Sequence, residues 1–85
     1  MNVHEFETAV WEREGIRIVI RAPEHTNVGE YDYQRSAAEN QRLTEWLEGR
    51  IYPRTGEYGI VVIDGRGEIP HGKNHLSTVR QTYRE

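Results

Sequence analysis

Residues 6–22, FETAVWEREGIRIVIRA, decide how this chain is built. A two-residue turn at Glu14-Gly15 sets Trp11 opposite Ile18, Val10 opposite Val19, Ala9 opposite Ile20 and Glu12 opposite Arg17. Opposed charges and apolar partners then meet across the strands, and such cross-strand pairs are what stabilise a hairpin. Gly15 supplies the residue that tolerates positive φ at the turn. On this pattern the segment is expected to be a β-hairpin. The competing reading makes residues 3–13 a helix, because Val3, Phe6 and Val10 have helical spacing and Asn2 with Glu5 resembles a capping box.

Outward from this segment, Pro23 ends the second strand because it has no N–H for a ladder. Residues 23–34 form a long polar loop. A helix is expected over 36–49, with Ser36 and Glu39 as its capping box, Leu43, Trp46 and Leu47 as its apolar stripe and Gly49 as its stop; Pro53 lies beyond it. Residues 58–63, YGIVVI, read as a strand apolar on both faces. Asp64-Gly65-Arg66-Gly67 is a turn, followed by a short edge strand at Glu68-Ile69. Leu76, Val79 and Tyr83 predict a short C-terminal helix capped near Asn74 or Ser77. The expected fold is α+β: one domain over 1–85, in the order β-β-α-β-(β)-α. Its small antiparallel or mixed sheet has three to four strands and carries one main helix on one face. The expected core is Trp11, Ile18, Ile20, Leu43, Trp46, Leu47, Val61 and Ile63.

The chain has 85 residues, of which 35% are hydrophobic, so the core is thin and help from a second copy, as a homodimer, is in keeping with it. It has no cysteine. That excludes disulfides, thiolate metal sites and a Cys nucleophile, and it favours the cytoplasm over an oxidising compartment. The polar, acidic start is unlike a signal peptide, and no apolar run approaches a membrane span. Net charge is −3, unevenly spread: residues 1–49 hold five Arg against ten carboxylates, and residues 50–85 hold six basic residues against four. The acidic first half suits a basic partner surface better than nucleic acid. Only Lys73 among the eleven basic residues is not Arg, a bias that points to a GC-rich genome.

The run GEIPHGKN, Gly67 to Asn74, has the spacing of a phosphate-binding loop. It lacks the final hydroxyl, Pro70 removes one backbone donor, and so short a chain has no room for the parallel sheet that carries such loops. What remains is an ordinary loop with an anion contact at Arg66 and Lys73. His71 and His75 have helical metal-ligand spacing, but Pro70 and Gly72 oppose a helix there and no third ligand is at hand, so no metal is expected. Asp64 ends the most buried strand, and its Asp-Gly sequence makes it a turn residue first. No cofactor motif and no paired acid–base constellation emerge, so binding rather than catalysis is expected.

The loop Glu30-Tyr31-Asp32-Tyr33-Gln34 is the expected partner-binding surface. It offers two tyrosines as anchors, with Glu30 and Asp32 as charges beside them. The chain resembles, in kind only, the small stand-alone proteins with which phages and other mobile elements block host machinery, anti-CRISPR proteins that act on CRISPR effectors among them. They are short and acidic and have no catalytic constellation. The likeness implies a protein-binding inhibitor or adaptor for a partner with a basic surface, and it carries no residue roles. The alternative is a nucleic-acid-binding module using Arg50, Arg54, Arg66, Lys73, Arg80 and Arg84.

Overall fold

Val3–Glu14 is a helix, α1, and not the first strand of a hairpin. Both of its ends are fixed by local chemistry. Asn2 accepts the Glu5 N–H and Glu5 accepts the Asn2 N–H, each at 2.9 Å, which completes the capping box. Gly15 takes φ 68°, and its N–H donates to Trp11 O at 2.8 Å. The positive φ expected of Gly15 is therefore used to stop a helix. The hairpin gives way because the helix buries Val3, Phe6 and Val10 along one stripe, with Glu14 one turn beyond. Trp11 falls one position off that stripe and is 41% exposed, so it leaves the expected core.

The structure, a computed structural model, describes residues 1–56 and 58–85. β1, Arg17–Arg21, pairs antiparallel with β2, Gly59–Ile63, with Arg17 facing Ile63, Val19 facing Val61 and Arg21 facing Gly59. Among the described residues the sheet has two strands, not the three to four expected. The edge strand at Glu68-Ile69 does not form. Asp64 N–H donates to Glu68 O at 2.8 Å, as a third strand would begin. Continuing that register sets Pro70 opposite Val62, where its missing N–H breaks the ladder.

The main helix also shifts. It starts at Leu43, not residue 36, and runs as α2, Leu43–Trp46, a π-helical turn over Leu47–Ile51, and α3, Tyr52–Thr55. Pro53 lies inside this helical run. A proline ring clashes with the carbonyl four residues earlier and cannot donate to it, and widening the preceding turn relieves both problems. Ser36 caps nothing; its hydroxyl donates to Arg13 O at 2.6 Å.

The last helix, α4, is Leu76–Thr82. The starts of α2 and α4 complete one another. Leu43 and Thr44 N–H donate to the carbonyls of Asn74 and Gly72, and Leu76 and Ser77 N–H donate to those of Gln41 and Glu39. Orphan donors at both helix starts are thus satisfied by the loop that precedes the other. The described residues therefore form a mixed α+β fold of three helical bodies and one two-stranded sheet, in the order α-β-α-β-α. The core holds Phe6, Val10, Ile16, Ile18, Ile20, Leu43, Trp46, Ile51, Val62, Leu76 and Val79. Leu47, Val61 and Ile63, also expected there, are half-buried.

The two tryptophans should separate in a stability measurement. Trp46→Ala is expected to cost about 3–5 kcal/mol, as the loss of a fully buried aromatic does. Trp11→Ala should cost about 1 kcal/mol, the scale of its ring contacts. Urea denaturation of both variants checks this, and equal losses would contradict the assignment.

Candidate functional site

Glu14 ends α1 with a fully buried carboxylate, and three other parts of the chain converge on it. From the loop, the Tyr31 hydroxyl donates to Oε2 and the Ala37 N–H to Oε1 at 2.8 Å. From the main helix, the Trp46 indole N–H donates to Oε2 at 3.3 Å and Arg50 at 2.8 Å. From α4, Arg80 donates to Oε1 at 3.0 Å and to the Glu14 carbonyl at 2.8 Å. Arg80 also holds Ala37 O at 3.0 Å and Glu39 at 2.8 Å. No buried side-chain nitrogen or oxygen among the described residues lacks a partner. A buried ion group is tolerated only when it is satisfied this fully.

Burial by itself pushes the Glu14 carboxyl up. The donors Tyr31, Ala37 N–H and Trp46, together with the Arg50 charge, outweigh it and hold the group below its ordinary 4.5. Tyr31 moves the other way. Burial, then its bond to the Glu14 carboxylate and that group's charge, raise the phenol above its ordinary 10.0.

The expected partner loop is built onto this hub. Tyr31 is 6% exposed, with Phe6 edge-on at 5.5 Å, so it is a core residue and not a free anchor. Tyr33 is half-buried and lies under two guanidiniums, Arg50 at 3.9 Å and Arg54 at 4.6 Å from the ring centre. Arg54 also donates to Glu30 O at 2.9 Å. Glu30 and Asp32 are exposed, and among the described residues neither has an ion-pair partner. The loop thus alternates outward carboxylates with inward tyrosines, the period of an extended chain. Nothing in the sequence marked Glu14 as special. Its one legible signal was its place on the stripe of Val3, Phe6 and Val10, four residues after Val10.

The other candidates lie elsewhere. Arg66 is held by Glu85, with bonds of 2.6, 2.8 and 3.0 Å, while the exposed Lys73 sits in the loop before α4. Asp64 is a turn residue: its side chain accepts Arg66 N–H and Glu68 N–H, each at 2.9 Å. Gly65 lies so close to α4 that a Cβ would meet Thr82 O at 2.1 Å. In the loop resembling a phosphate cradle, the carbonyls of Gly72 and Asn74 hold the start of α2 and that of Lys73 accepts Arg42. His71 Nδ1 accepts the Lys73 N–H at 3.1 Å, and among the described residues no three metal-ligating side chains are grouped. No described helix is long and apolar enough to cross a membrane. No family model, curated protein or solved structure matches the chain.

Two titrations should bound the stability. Glu14 has a depressed folded value, so its contribution is present above pH 4.5 and is lost as pH falls through the folded value. Tyr31 has a raised folded value, so its contribution is present below pH 10.0 and is lost as pH rises toward the folded value. Glu14→Gln should cost about 3–5 kcal/mol by leaving Arg50 and Arg80 without their shared counter-charge and setting an amide NH2 among donors, and should flatten the acid limb. Denaturation midpoints against pH for both proteins check this; an unchanged acid limb in the variant would contradict it.

Proposed function

We propose that the chain acts by binding and not by catalysis, as an inhibitor or adaptor for a protein partner with a basic surface. The contact is made by Glu30, Asp32 and the open side of Tyr33. The observation that carries this reading is the pinning of residues 30–34. Tyr31 in the hub, and Tyr33 under Arg50 and Arg54, hold the loop in place while the two carboxylates project unpaired. A surface fixed before binding loses little conformational entropy on association. Tyr31 acts here as the loop's root, and the contact energy falls to Tyr33 and the charges.

A basic surface of this kind is one that ordinarily faces nucleic acid, and occupying it would block that use. A role for phages or mobile elements, including the blocking of a CRISPR effector, rests on the compositional likeness alone and is proposed at that level. The alternative, a nucleic-acid module in the second half, has fewer free cations to work with than its sequence offers. Arg50 and Arg80 are spent on Glu14, Arg54 on Glu30 O and Tyr33, and Arg66 on Glu85.

A partner isolated by pull-down and measured by surface plasmon resonance at two salt concentrations tests the reading. Glu30→Gln with Asp32→Asn should lower the association rate more than it raises the dissociation rate. Tyr33→Ala should weaken binding roughly tenfold with the fold intact. Full affinity in both variants would move the contact elsewhere. Tight, salt-sensitive binding to bare DNA or RNA, abolished by changing Arg66 and Lys73, would favour the nucleic-acid alternative.

A further inference from the structure

The sheet has a second surface, of opposite polarity and independent of the tyrosine loop. Ile18 and Ile20 of β1 go into the core, while Arg17, Val19 and Arg21 face outward. Facing residues of an antiparallel pair share a face, so the outer rungs are Arg17 with Ile63, Val19 with Val61, and Arg21 with Gly59. Val19 is 39% exposed, and Val61 and Ile63 are half-buried. Trp11 borders this strip, with the Arg17 guanidinium 5.6 Å and the Tyr83 ring 5.2 Å from its centre. The Tyr83 hydroxyl accepts Arg17 N–H at 3.0 Å and donates to Ile63 O, which pins the end of the sheet. Gly59 has no side chain, and the Arg21 stem lies where a Cβ there would touch it, at 3.5 Å.

Neither guanidinium is committed to a carboxylate, and Arg17 rests on the Trp11 ring. Among the described residues neither Arg17 nor Arg21 has an ion-pair partner, unlike Arg50, Arg66 and Arg80. Four residue steps along the strand separate the Cα atoms of Arg17 and Arg21 by about 13 Å. An extended peptide repeats that spacing between its first and fifth residues, with its third on the same side.

We propose that this sheet face docks an acidic peptide, with carboxylates at Arg17 and Arg21 and an apolar residue between them on Val19, Val61 and Trp11. Charge complementarity selects the occupant. A second copy brought face to face by a two-fold axis would set these arginines against arginines. A nucleic acid would find branched aliphatic side chains on the strands and one bordering ring, Trp11, already held by the Arg17 guanidinium and the Tyr83 ring, where single strands need successive free rings for stacking. With the acidic loop elsewhere on the surface, the chain then carries one site for a basic partner and one for an acidic one, as an adaptor does.

The test is an NMR titration of the full chain with a synthetic capped peptide that has Glu at its first and fifth positions and Leu at its third. Saturable shifts are expected at the Arg17, Val19 and Val61 amides and the Trp11 indole N–H. Replacing both glutamates by glutamine, or making Arg17→Gln with Arg21→Gln, should weaken binding about tenfold or more. Val19→Thr keeps the strand and should weaken it several-fold. Absent shifts at millimolar peptide, or equal binding of the glutamine peptide, would overturn the proposal. So would tighter binding of a single-stranded oligonucleotide on this face, or concentration-dependent shifts there without peptide, which would make a second copy the occupant.

Discussion

The fold depends on one buried carboxylate. Glu14 stands where α1 ends, and five donors from three other segments meet its two oxygens. The hydrophobic core is small, and α1 contributes only three apolar residues to it in full. The ion group does what packing alone does not: it fixes the angle at which the loop, the main helix and α4 meet α1. Desolvating a carboxylate and a guanidinium is costly, and the return comes only when each lone pair and N–H is used. Here the accounting closes, because Arg50 and Arg80 share the carboxylate and Arg80 extends to Ala37 O and Glu39.

That arrangement joins stability to the proposed contact. Tyr31 belongs to the hub, and its neighbours in sequence, Glu30 and Asp32, face solvent. Tyr33, one residue further, is fixed by Arg50, the same arginine that holds Glu14. The outward carboxylates are therefore supported by the core without being part of it. Changes at Glu30 and Asp32 probe recognition, whereas changes at Glu14 or Tyr31 probe folding.

Much of this was legible in the residues, and the failures have physical causes. Gly15, Trp46, the turn at Asp64 and the last helix were readable because each rests on local chemistry or a strong apolar spacing. The hairpin was misread because two local patterns competed over residues 3–14. The decision between them was made by residues far away: β1 takes β2, some forty residues on, as its partner. The start of the main helix was misplaced because Ser36 and Glu39 mimic a capping box, while the real start is capped by the Gly72–Asn74 loop. Gly49 reads as the stop and Pro53 as lying beyond the helix, which holds for a regular helix and fails where a π-helical turn makes room. The loop 30–34 stands out in the sequence for its two tyrosines and two carboxylates, but the sequence does not reveal that Tyr31 turns inward, because its partner is a glutamate that reads as a surface residue. Glu14 itself was legible only as one more member of a stripe.

The central claim is that Glu14 is buried as a carboxylate and organises its donors in that form. A 13C-detected NMR titration of the Glu14 side chain tests it most directly. A midpoint below the ordinary 4.5 is expected. The Ala37 amide and Trp46 indole N–H should shift with the same midpoint, because both donate to that carboxylate. A midpoint at or above 4.5, or Ala37 and Trp46 signals indifferent to it, would contradict the account.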